Sequence, residues 1–106
     1  MEKLSFDDGK LVLDKNGLKG RIIYNKENAQ AVVIELNPRA ILALHKTPVD
    51  VFFIVLEGKG LFTIGDEESE LTINQILQSP MNIPHGIENK SESLLRVLVV
   101  KAPKTK

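Results

Sequence analysis

Apolar and polar residues alternate in short runs along the whole chain, with a turn signal roughly every ten residues. The runs are rich in Val, Ile and Leu and have the length of strands, and no stretch keeps a helical period over three turns. Asn16-Gly17 is a strong signal for a tight hairpin. The pattern predicts an all-β sandwich or barrel with strands at residues 11–13, 19–24, 29–36, 41–45, 51–56, 61–64, 71–73, 76–78, 86–89 and 94–100.

Two glycine-containing segments near the middle of the chain predict turns. Residues 57–60, Glu-Gly-Lys-Gly, are expected to return the chain so that 61–64 pairs with 51–56 as a hairpin. Residues 65–68, Gly-Asp-Glu-Glu, are expected to form a solvated acidic turn.

The predicted strand at 51–56 is apolar at every position, so both of its faces need cover. One face carries Val51, Phe53 and Val55, and the other carries Phe52, Ile54 and Leu56. In a small domain the barrel interior covers one face, and a second sheet or a second subunit covers the other. We therefore predict a homodimer. The strand at 94–100, interrupted only by Arg96, has the same character.

The composition of the chain excludes several classes of function but does not identify one. The 106 residues suit a single domain (1–106), 42% of them are hydrophobic, and 14 basic residues balance 14 acidic ones, so no global charge favours nucleic acid or membranes. The absence of cysteine excludes disulfides, thiolate ligands and a Cys–His dyad. The first ten residues have no apolar segment typical of a signal peptide, and no apolar run is long enough for a membrane helix. We expect a soluble, cytoplasmic protein.

Candidate chemistry is concentrated at the only two histidines, His45 and His85. Their surroundings match two motifs, Gly-x5-His-x-His-x(3–4)-Glu-x6-Gly and Gly-x5-Pro-x-Gly-x2-His-x3-Asn. His45, Gly58, Pro80, His85 and Asn89 fit these motifs. Over about residues 30–101 the chain therefore resembles the small single-domain cupins (the cupin 2 type conserved barrel). This resemblance implies a double-stranded β-helix (cupin/jelly-roll) barrel of six to eight strands.

The departures from the motifs fall into two groups. Arg39, Asn74 and Asn82 stand where the family has glycine, and asparagine is the residue best able to replace glycine at positive φ. Thr47 and Val51 stand where the family has a histidine and a glutamate that bind metal.

The resemblance implies a divalent metal such as Mn, Fe, Ni or Zn, but only His45 and His85 remain of the four ligands. Asp50 is a further candidate if a bulge at Pro48 turns it inward. His45, His85 and Asp50 would then form a two-histidine, one-carboxylate site, which favours iron(II).

Three functions follow as alternatives, and whether the protein is an enzyme stays open. We favour a barrel that binds a small molecule without an obligatory metal; its expected pocket residues are His45, Thr47, Val51, Phe53, His85 and Asn89. Asn89 has a second interpretation, as an amide that stabilises a turn. The alternatives are a metal-dependent enzyme of the dioxygenase, isomerase or sugar-modifying kind, and a dimeric structural or interaction module.

Overall fold

The architecture is all β, as predicted, in a computed structural model that describes residues 1–104. A short 3-10 helix, Phe6–Asp8, precedes ten strands. The strands are β1 Lys10–Lys15, β2 Leu18–Lys26, β3 Ala29–Leu36, β4 Ile41–His45, β5 Val51–Glu57, β6 Lys59–Ile64, β7 Glu67–Thr72, β8 Ile76–Ser79, β9 His85–Glu88 and β10 Leu95–Lys101. Within this part of the chain no helix is long and apolar enough to cross a membrane.

The strands form two antiparallel sheets that face each other. One has six strands in the order β1-β2-β3-β10-β5-β8, and the other has four in the order β4-β9-β6-β7. Strands β3 to β10 supply the eight strands of the double-stranded β-helix. The hairpin β1–β2, which precedes the region of the family resemblance, extends one sheet beyond β3.

The predicted hairpin between 51–56 and 61–64 is wrong. β5 and β6 are consecutive, but they lie in different sheets, and β6 pairs with β7 and β9. Only Gly58 separates the two strands, at φ +79°, where its backbone approaches Leu94 too closely for a Cβ. The Gly signal therefore marks a crossing between sheets and not a hairpin turn.

The acidic turn predicted at residues 65–68 is shorter in the structure. Gly65 and Asp66 form the turn, whereas Glu67 and Glu68 already belong to β7. β7 is an edge strand whose acidic side chains are exposed, and charges on an exposed edge discourage pairing with another chain.

Left-handed backbone occurs at the positions where the family motifs have glycine. Asn74 and Asn82 have φ of 72° and 63°, which confirms the expected replacement of glycine by asparagine. Arg39 has φ of 74° as well. Its guanidinium donates to the Lys90 carbonyl and pairs with Glu92, and these contacts hold the loop after β3 in place.

The core lies between the sheets, on the inward face of the doubly apolar strand. Val51, Phe53 and Val55 are at most 4% exposed, whereas Phe52 on the opposite face is 36% exposed. This inward face packs against β10, β6 and β9 through Leu95, Val97, Val99, Phe62 and Ile87. Alternation along β5 is therefore confirmed.

Arg96, the one charged residue within the last apolar run, lies on the outer face of the six-stranded sheet. Its register partners are Glu35 on β3 and Glu57 on β5, and it forms ion pairs with both, at 2.6 Å and 3.0 Å. The guanidinium also lies 5.5 Å from the centre of the Phe6 ring. The charge thus crosslinks three strands outside the core.

Candidate functional site

A pocket of about 230 Å³ opens between the two sheets, and its walls are mainly apolar. We call it the interior pocket. Its apolar wall consists of Val12, Leu13, Gly20, Ile22, Val32, Ile34, Leu42, Val51, Phe53 and Val99. Five polar residues complete it: Gln30, His45, Thr47, His85 and Lys101. Five of the six residues expected from the sequence, all except Asn89, therefore line one pocket.

The two histidines are in contact. His45 ends β4 and His85 begins β9, and the antiparallel register pairs the two residues directly. Their Nε2 atoms are 3.2 Å apart, and the rings meet edge to face with centroids separated by 4.5 Å. Strand pairing thus brings together two side chains that are forty residues apart in the sequence.

When both rings are neutral, the hydrogen-bond partners of the histidines determine which nitrogen of each ring carries the hydrogen. The Ala43 carbonyl, 3.0 Å from His45 Nδ1, can only accept, so Nδ1 carries the hydrogen and Nε2 is left as the acceptor. His85 Nε2 therefore donates to His45 Nε2. His85 Nδ1 then accepts from the Ser79 hydroxyl at 2.8 Å. The result is a directed chain from Ser79 through His85 to His45.

His85 is held in the neutral form. Its side chain is buried and meets the Phe53 ring edge to face, with the ring centroids 5.2 Å apart. Burial, and to a smaller extent positive charge at His45 and Lys101, lowers the pKa of His85 from 6.5 to about 4. At neutral pH His85 therefore acts as a hydrogen-bonding group without charge.

The ligand positions of the family motifs do not offer a complete metal site here. Thr47 is buried and donates its hydroxyl to the Val49 carbonyl at 3.1 Å, and Val51 supplies no donor atom. The facing Nε2 atoms of the histidine pair are occupied by each other. Among residues 1–104 no three His, Cys, Asp or Glu side chains cluster closely enough to hold a metal ion. The residues present do not fit the metal that the resemblance implies.

Asp50 lies away from the interior pocket. Its side chain is exposed, and its carboxylate accepts a hydrogen bond from the Met81 amide at 2.8 Å. It borders a separate outer cleft beside Phe52 and Pro80. The structure therefore does not bring Asp50 together with His45 and His85.

Asn89 is fully buried, but its side chain hydrogen-bonds to nearby backbone and to Ser91 and does not line the pocket. Its amide nitrogen donates to the carbonyls of Leu36 and Ser93, and its oxygen accepts from the amide and hydroxyl of Ser91. Asn89 is not among the residues that line the interior pocket, and its contacts are those of the second interpretation, an amide that stabilises a turn. Asn89 directly follows β9, and its side chain bonds both to the loop after β9, at Ser91 and Ser93, and to the end of β3, at Leu36.

Two polar residues of the pocket, Gln30 and Lys101, were not anticipated. Lys101 follows Val97 and Val99 at a spacing of two, and Gln30 precedes Val32 and Ile34 in the same way. The signal was present, because a polar residue that continues an inward-facing apolar series must also face inward.

Comparisons with known proteins agree with this architecture. The family model described as a cupin domain, Cupin_2, matches residues 32–101. An uncharacterized protein of Methanocaldococcus jannaschii is 28% identical over 78 residues, which cover 74% of this chain and 62% of that protein. This chain thus spans less than two thirds of that relative's length.

Solved structures show the same fold. A Thermus thermophilus protein superposes with a TM-score of 0.84 at 26% identity, covering 97% of this chain and 98% of its own. An RmlC-like cupin from Shewanella frigidimarina gives 0.84 at 19% identity, with coverages of 97% and 92%. KdgF from a Halomonas species gives 0.83 at 18%, with coverages of 92% and 91%. With the family model matching well over half of its residues, the chain belongs to the cupin domain family, Cupin_2.

Proposed function

We propose that this cupin domain binds a small molecule in the interior pocket, without a resident metal. The observation that carries the proposal is the pocket itself, in which an apolar wall surrounds a few convergent polar groups. This combination is typical of small-molecule sites, where apolar surface supplies affinity and polar groups fix orientation.

The volume limits the size of the ligand. A cavity of about 150 Å³ accommodates benzene, which has six non-hydrogen atoms. At that ratio the interior pocket, at about 230 Å³, suits a molecule of about nine non-hydrogen atoms. The ligand is therefore small, comparable to one substituted ring or a short chain.

The polar groups differ in what they offer to such a ligand. Thr47 and His85 are already hydrogen-bonded to protein atoms, so they mainly shape the pocket. His45 is more accessible, and its pairing with His85 keeps the ring in place.

A thermal-shift screen of small molecules tests the proposal, with a chelator present throughout. Occupancy at a hundred times Kd should stabilise the native state by about 2.7 kcal/mol. Leu42→Trp should abolish the stabilisation by any hit, because the indole would occupy the pocket that Leu42 lines. Ile41→Trp is the matched control, since its side chain is exposed on the neighbouring position of the same strand. Hits that survive Leu42→Trp would refute the interior site.

We also propose self-association through an outer patch formed by Phe52, Ile54 and Ile76. Ile54 and Ile76 are register partners, and Phe52 shares their face two residues along β5. Ile76 is 60% exposed on β8, the last strand of its sheet, and Phe52 borders an open cleft of about 550 Å³. Apolar side chains on an uncovered face favour a second copy of the chain.

Light scattering coupled to size exclusion tests this proposal. The unaltered protein should run as a dimer, and Ile76→Glu should make it monomeric by placing a charge in the patch. Ile73→Glu is the matched control, because Ile73 is similarly exposed, at 52%, but lies outside the patch. A monomeric unaltered protein at micromolar concentration would contradict the proposal.

A further inference from the structure

Lys101 occupies the end of the inward-facing row of the six-stranded sheet. Antiparallel pairing places it directly beside Gln30 on β3 and Val51 on β5. The preceding inward residue on β10, Val99, pairs with Val32 and Phe53. Along the inward face of β10, Lys101 thus follows Val97 and Val99 and is the charged residue of that series. Its side chain lines the interior pocket.

The ammonium group of Lys101 has no carboxylate partner among the described residues. The three ion pairs that residues 1–104 form involve only Arg39 and Arg96 as cations. No Asp or Glu lines the interior pocket. A positive charge beside an apolar cavity favours an anion from outside the protein, because an ion at low dielectric gains most from an opposite charge.

A second donor lies next to this cation. Gln30 pairs in register with Lys101, and its amide nitrogen uses one contact, to Asn25 Oδ1 at 3.4 Å. An amide nitrogen carries two hydrogens, so one remains for a ligand. The apolar wall, which includes Leu13, Ile22 and Ile34, offers only apolar contact. The other polar residues of the pocket, His45, Thr47 and His85, already hydrogen-bond to protein atoms. The pocket thus offers a cation and an amide hydrogen at Lys101 and Gln30, beside an extended apolar wall.

We infer that the ligand of the interior pocket is a small monocarboxylate, with its carboxylate at Lys101 and Gln30 and its apolar body toward Leu13 and Ile34. The inference rests on the proposed function and narrows it to one substrate class. One cation balances a single negative charge, whereas a dianion such as phosphate would leave a second charge desolvated and unpaired. The expected size of about nine non-hydrogen atoms matches an aromatic or short-chain acid.

The test compares benzoate with benzamide, which have the same shape but differ in charge. Binding of each to the full chain is measured by calorimetry at pH 7.5 with a chelator present. Benzoate should bind about tenfold more tightly than benzamide, because charge-assisted hydrogen bonds are stronger than neutral ones. Lys101→Met should remove this preference while benzamide binding stays within about twofold. Lys26→Met, an exposed position at the end of β2, should leave it unchanged.

Each outcome separates the inference from the function on which it rests. Equal binding of benzoate and benzamide, unaffected by Lys101→Met, would overturn the carboxylate assignment and leave a small-molecule pocket. A preference for benzoate that survives Lys101→Met would place the anion elsewhere and also overturn it. No binding of benzoate or benzamide at millimolar concentration would overturn the monocarboxylate inference, and a thermal-shift screen without any hit would overturn the small-molecule function as well. Circular dichroism of Lys101→Met, unchanged from the parent protein, shows that the variant folds.

Discussion

The low pKa of His85 makes the stability of the barrel depend on pH in a defined window. In the folded state the pKa is about 4, and in the unfolded chain the ordinary value of 6.5 applies. Between these values the unfolded state binds a proton that the folded state does not. The contribution of His85 to stability is therefore complete above pH 6.5, falls as the pH falls, and is fully lost below about pH 4.

The magnitude follows from the gap between the two pKa values. At about 1.36 kcal/mol per pKa unit, the difference between 6.5 and about 4 corresponds to about 3 kcal/mol. A domain of this size is stabilised by about 5–15 kcal/mol in total. Protonation of one buried ring would therefore remove a substantial fraction of the stability before most carboxylates titrate.

Urea unfolding at pH 7.5, 6.5, 5.5 and 4.5, followed by far-UV circular dichroism, measures this effect. His85→Gln keeps a polar side chain but cannot titrate, so its loss of stability over this range should be smaller by about 2–3 kcal/mol. Lys101→Met and His45→Gln remove the weaker causes of the low pKa, and each should reduce the slope only in part. Parallel pH profiles for His85→Gln and the parent protein would refute the assignment of the effect to His85.

Three other predictions concern the backbone, the outer face and the donor set. Gly58→Ala should destabilise the fold by at least about 2 kcal/mol in urea unfolding, because the residue needs a positive φ and a Cβ would meet the Leu94 carbonyl; a loss below about 0.5 kcal/mol would contradict this. Arg96→Met should cost about 1 kcal/mol at low salt and less in 1 M NaCl, since it removes two partly exposed ion pairs; a difference independent of salt would argue against them. Elemental analysis after incubation with Mn, Fe, Ni and Zn and desalting should find far less than one metal per chain; near-stoichiometric metal that is lost in both His45→Ala and His85→Ala would show that two imidazoles suffice.

Local signals in the sequence were enough to predict most of the strands and the buried face of β5. Period two separates Phe53 from Phe52, and the structure buries one and exposes the other as that period requires. The asparagines at 74 and 82 predict left-handed backbone because few other residues tolerate it. These features depend on the residue itself and its immediate neighbours, and a sequence displays such information directly.

Features that depend on distant partners could not be predicted in the same way. Gly58 is compatible with a hairpin or with a crossing between sheets, and only the pairing of β6 with β9 distinguishes the two. Asn89 is fully buried, and no local pattern identifies its partners at the carbonyls of Leu36 and Ser93. The family motifs identify the two histidines but not Lys101. The inward position of Lys101 follows from its spacing of two from Val97 and Val99.

The departures from the family motifs change the chemistry of the interior and leave its framework in place. Arg39, Asn74 and Asn82 adopt the backbone conformation that glycine would supply, so the turns that contain them keep their course. Val51 and Thr47, at the ligand positions, present an apolar side chain and a hydroxyl that is already bonded. What remains in the interior is one fixed, neutral His85, its partner His45, and the cation of Lys101 at the edge. Such an interior can select a ligand by shape and charge, and the comparison of benzoate with benzamide measures the second of these separately from the first.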